Sequence, residues 1–132
     1  MHKAHLAIGI FMVLLFLATG AYMMFSFPEL YSGREEVRMM FRASHIYLLF
    51  AALINLMAAN VRTSGRKENS GLALNLSSGL IIGSTVLFAV AFWVEPLVYA
   101  IHRPITFWAV VFMFIGVLVN TATGLWVSRR NA

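Results

Sequence analysis

Four stretches without a single Asp, Glu, Lys or Arg, residues 6–27, 43–61, 71–94 and 104–128, make up most of this 132-residue chain. At about 1.5 Å of rise per residue, each as a helix reaches across a hydrocarbon layer of about 30 Å, the second with the least to spare. Backbone N–H and C=O groups in lipid must be satisfied within a helix or a closed barrel. Barrel strands would alternate polar and apolar residues over about ten positions, and these runs do not. The chain therefore reads as an all-α integral membrane protein, an antiparallel up-down bundle of four transmembrane helices. We place them at about 4–27, 41–61, 71–94 and 104–128, in a single domain covering 1–132. With only 11% charged residues the chain cannot clothe a soluble domain of this size. The first run is too long for the apolar core of a secretory signal and reads as a retained helix.

The absence of cysteine excludes disulfides, thiolate metal sites and the thiol relays of four-helix quinone enzymes that use them. A formal charge of +5 does not indicate nucleic acid, because the charges sort by side along a four-span path. Lys3, Arg62, Arg66, Lys67, Arg129 and Arg130 share one side with Glu68. Arg34, Arg38, Arg42 and Arg103 are balanced on the other by Glu29, Glu35, Glu36 and Glu95. The positive-inside rule then puts both termini in the cytoplasm, for a multi-pass protein of an inner (plasma) membrane.

Three short connections join the runs. The one at 62–70 is polar and Gly-containing, as a solvated turn is, and its basic residues should face anionic lipid. Residues 35–42 contain neither Gly nor Pro and have good helix propensity, so the second helix is expected to start early and project from the membrane. Phe27-Pro28-Glu29-Leu30-Tyr31 is echoed by Glu95-Pro96-Leu97-Val98-Tyr99, and each returning helix carries an Asn, Asn55 or Asn120. That echo suggests two helical hairpins related about the membrane normal.

Helices in lipid associate through small residues and interhelical hydrogen bonds. Candidate packing stripes are Gly9 and Gly20; Ser44, Ala51, Asn55 and Ala58; Asn75, Gly79 and Gly83; and Gly116, Asn120 and Gly124. Gly79 and Gly83 could equally face a second copy of the chain. Tyr22, Phe25, Phe27, Tyr31, Tyr47, Trp93, Tyr99, Trp108 and Trp126 read as interfacial belts.

Ionisable groups near lipid gather at the outer ends of helices two and four. Sixteen residues separate His45 from Arg62, about 24 Å of helix, which draws His45 to the edge of the apolar zone. Arg42 and Arg38 stand one and two turns above it, and His102, Arg103 and Glu95 lie at the same level. Two imidazoles and three guanidinium groups form a set that can ligate a b-type haem through His45 and His102, with Arg38, Arg42 and Arg103 on its propionates. The same set can instead hold a quinone headgroup, with His45 as proton acceptor. His2 and His5, with Lys3, read as a charged helix start.

These residues support a membrane redox component. The alternative is a non-enzymatic membrane subunit or assembly protein with no cofactor, needing only lipid, packing faces and a homodimeric or larger membrane complex. A small-molecule transporter ranks lower, because no Asp occurs and all five Glu lie in loops or at helix ends.

Overall fold

The computed structural model describes residues 2–63, 71–98 and 102–130, and all of the secondary structure in them is helical. Four helices follow in order: α1 (His2–Leu30), α2 (Glu35–Thr63), α3 (Leu72–Val98) and α4 (Pro104–Arg130). Each is long and apolar enough to cross a membrane. The polar connection read at 62–70 lies largely outside the described residues.

α2 begins at Glu35, as the helix-forming residues 35–42 predict, with Glu35 and Glu36 in its first turn where the helix dipole favours acids. α1 and α3 run further than expected, each carrying a proline, Pro28 and Pro96, near its C-terminal end. So close to the end, proline removes little of the ladder that the helix has left to make. The extra turn of α3 has a consequence, because it brings Glu95 inside a helix. The turn between α1 and α2 closes at Gly33, whose φ of 76° is a left-handed conformation that a side chain would strain.

Contacts fix the layout. Gly9 and His5 meet Leu56 and Asn55, while Gly20 and Phe27 meet His45 and Phe41, so α1 and α2 pair in opposite directions. Tyr47 stacks on Phe88 and Phe41 meets Phe92 between α2 and α3; Ser84 meets Met113 and Ile81 meets Gly116 between α3 and α4. α2 and α3 form the centre, α1 flanks α2 and α4 flanks α3, and α1 and α4 share no packing of comparable extent. The two hairpins therefore do not occupy equivalent places. Asn55 is fully buried, whereas Asn120 is only half-buried.

The α2 stripe holds, with Ser44, Ala51, Asn55 and Ala58 all buried. The α3 stripe does not. Asn75, Gly79 and Gly83 are exposed, and the helix buries the opposite face through Ser77, Ile81, Ser84, Phe88 and Phe92. Part of the expected belt is interior: Phe27 and Tyr31 are buried and Tyr22 is half-buried, packing edge-on and tilted with Phe41 and Phe92, while Trp93 joins the same cluster from an exposed position. Phe25, Trp108 and Trp126 remain exposed.

A Cβ on Gly116 would stand 2.9 Å from Ile81 Cγ1 and 3.1 Å from the Ser77 carbonyl oxygen, whereas one on Gly79 would meet nothing within 4 Å. Gly116→Ala should therefore wedge α3 from α4 and lower stability by about 1–3 kcal/mol. Gly79→Ala should leave the unfolding midpoint in detergent nearly unchanged.

Candidate functional site

The end of the bundle where α3 meets the start of α4 is organised by Glu95. Its side chain is completely buried, and burial of a carboxylate is tolerated only when its oxygens are satisfied. Here they are. The Thr106 backbone N–H donates to Oε1 at 2.8 Å, the Thr106 hydroxyl donates to Oε2, and Arg103 Nε donates to Oε2 at 3.2 Å. Pro104 opens α4, so Thr106 N–H is one of the first-turn donors without a partner in its own helix. Glu95 thus caps α4 from α3, with its negative charge at the positive end of the helix dipole.

Arg103 extends this arrangement to α2. Its Nη2 donates to the Ser44 hydroxyl and, at 3.2 Å, to Thr106 Oγ1, and its guanidinium carbon lies 5.6 Å from the centre of the Tyr47 ring. One buried acid and one arginine thereby tie α2, α3 and α4 together. The sequence signal was the pairing of Glu95 and Arg103 at one level; what it did not show is that α3 continues past Pro96 and turns the carboxylate inward.

Of the other predicted site residues, Arg38 and Arg42 pair with Glu35 at 3.2 and 3.6 Å on an exposed surface, contacts of small energetic weight. His102 is exposed. His45 turns the other way, towards α1: its ring stacks on Phe16 with centroids 4.0 Å apart, and its Nδ1 is 3.0 Å from Thr19 Oγ1. The single Thr19 hydroxyl proton goes to the carbonyl of Leu15 or Phe16, so Thr19 accepts and His45 Nδ1 carries the hydrogen. In the neutral ring Nε2 is then an acceptor, and it lies beside Gly20, where a Cβ would come within 3.5 Å of it. The described contacts bring together Arg103, Glu95 and the neighbour of His45, Ser44. They do not join His45 to His102, nor either histidine to Arg38 or Arg42. Among the described residues there is no group of three or more His, Cys, Asp or Glu side chains placed to share a metal ion.

The half of the bundle that holds the start of α1 has a second polar chain, which reading His5 as part of a charged helix start missed. His5 is 1% exposed, and its Nδ1 donates to Asn55 Oδ1 at 2.8 Å. Asn55 Nδ2 donates to the Ala51 carbonyl at 2.9 Å and to Thr85 Oγ1 at 2.8 Å, and Thr85 donates to the Ile81 carbonyl. One amide thus links α1, α2 and α3. The stripe through Gly9 held the clue, since extending it back by one turn lands on His5.

Outside the helices, burial and a hydrogen bond with Tyr22 push the Tyr31 phenol above its ordinary pKa. No known family model, curated protein or solved structure matches the chain.

Glu95→Gln or Arg103→Gln leaves one charge of a desolvated pair without its partner, which typically costs about 3–5 kcal/mol; partial exposure of Arg103 puts the loss at the lower end. Arg103→Lys should recover only part of it, because one ammonium cannot span Glu95 and Ser44 as the fork does. Asn55→Leu should cost about 1–3 kcal/mol by stranding His5 and Thr85. Thermal unfolding in detergent measures each.

Proposed function

We propose that this chain is a multi-pass membrane protein that crosses an inner (plasma) membrane four times as an up-down bundle, both termini cytoplasmic, and acts there as a non-catalytic structural or assembly subunit. The observation that carries this reading is the use made of the outer ionisable groups. Glu95, Arg103, Ser44 and Thr106 satisfy one another inside the chain, and Arg38 and Arg42 are engaged by Glu35. The charges of Glu95 and Arg103, spent on joining α2, α3 and α4, are not offered to a bound group, while Arg38 and Arg42 meet Glu35 only within α2. The partners on this reading are lipid and a membrane protein chain, a second copy included, reached through the extensive apolar surfaces of α1 and α4. A transporter would have to break the link from α3 to α2 and α4 in order to use Glu95, the one buried carboxylate among the described residues.

A second reading, a redox component that binds quinone, has its own observation in His45. With Nδ1 committed to Thr19, its Nε2 accepts, which suits a quinol hydroxyl. The haem b alternative asks more, because His45 and His102 would have to converge from opposite sides of α2.

The lack of cysteine makes topology directly measurable, since any introduced thiol is unique. Ser32→Cys should react with a membrane-impermeant maleimide in intact cells, and Ala132→Cys only after permeabilisation; the reverse pattern overturns the orientation. Protein purified after haem supplementation should show no Soret band. A band lost in both His45→Ala and His102→Ala would sink the structural reading in favour of haem, and copurified quinone lost in His45→Ala would transfer it to the second.

A further inference from the structure

A groove of about 400 Å³ runs between α1 and α3, with Phe11 and Leu15 on one wall and Val86, Ala89, Val90 and Trp93 on the other. Thr85 lines it too, but its hydroxyl is engaged by Asn55 and the Ile81 carbonyl. Nothing polar is therefore offered to an occupant. A second cleft of about 460 Å³ is lined by Gly33, Arg34, Glu36 and Met40 on one side and by Pro96 and Leu97 on the other.

Both are bordered by the same face of α3. Val86, Val90, Trp93 and Leu97 follow at steps of four, three and four residues, which places them on a single face of α3 over about 16 Å. An occupant matched to this face is apolar along most of its length and polar at one end. The polar end has a particular charge pattern. Glu35 is taken by Arg38 and Arg42, while Arg34 and Glu36, both exposed, have no ion pair among the described residues.

We propose that this face of α3 binds a phospholipid with a primary-amine headgroup, one acyl chain in the α1/α3 groove, its phosphate on Arg34 and its ammonium on Glu36. A guanidinium pairs with phosphate through two parallel N–H donors. A primary ammonium donates up to three hydrogen bonds to a carboxylate, whereas a quaternary ammonium donates none. The site therefore distinguishes phosphatidylethanolamine from phosphatidylcholine by chemistry rather than by chain. The inference rests on the membrane embedding proposed above and on no other part of that reading.

Trp93 reports on the groove directly. In Trp108→Phe/Trp126→Phe, which leaves Trp93 as the sole tryptophan, its fluorescence should be quenched by brominated-chain phosphatidylethanolamine in phosphatidylcholine vesicles. We expect quenching at about fivefold lower mole fraction than for brominated-chain phosphatidylcholine, the scale of one charge-assisted hydrogen bond in an open cleft. Glu36→Gln should abolish that preference while leaving the quenching itself, and Arg34→Gln should shift the quenching by both lipids to higher mole fraction alike. Equal quenching by both lipids in the unsubstituted groove, or a preference that survives Glu36→Gln, overturns the site and leaves the membrane embedding standing. Absence of quenching by any brominated chain overturns both. Native mass spectrometry of the unaltered chain gives an independent measure: it should retain phosphatidylethanolamine over phosphatidylcholine and phosphatidylglycerol, and retention without that order overturns the proposal.

Discussion

A carboxylate taken wholly out of water is the constraint around which the junction of α2, α3 and α4 in this protein is arranged. Glu95 can be buried only because α4 begins where it does, presenting first-turn N–H groups that need an acceptor, and because Arg103 immediately precedes that turn. The two requirements answer each other. A helix start without acceptors and an acid without donors are both costly in an apolar medium, and their juxtaposition offsets both costs. Ser44 and Tyr47 then complete the surroundings of the guanidinium and draw α2 into the same arrangement.

The opposite half of the bundle solves a similar problem with neutral groups. Asn55 donates to α3 and accepts from α1 through one amide, so three helices are registered by a single side chain. Between the two polar centres lie Phe88, Ala91 and Phe92, close-packed and buried. Dispersion sets how near the helices come, and the polar centres set which residues face one another.

Much of this is legible in the residues. The four uninterrupted apolar runs give the helices, the Gly-free and Pro-free segment 35–42 gives the early start of α2, and the stripe from Ser44 to Ala58 marks its buried face. The α3 face was misread because glycines attract attention as packing residues, while the helix approaches its neighbours through Ser77, Ser84 and Thr85, whose hydroxyls bond back to their own backbone or to one another's neighbours. His5 was misread because a histidine beside a lysine near a terminus resembles a solvated start, and the amide facing it lies fifty residues away. No local pattern carries that pairing. The expected meeting of His45 and His102 rested on depth alone, and depth leaves open the direction in which a side chain leaves its helix; Thr19 and Phe16 draw His45 to α1.

The extensive interfaces join only consecutive helices, α1 to α2, α2 to α3 and α3 to α4. A chain delivered from its N-terminus can therefore complete each pairing with the segment just released, without holding an unmatched surface open for a distant one. Such vectorial assembly keeps loop-closure entropy low at every step. It makes the buried acid of the third segment wait for its donors, since Arg103 and Thr106 arrive after it.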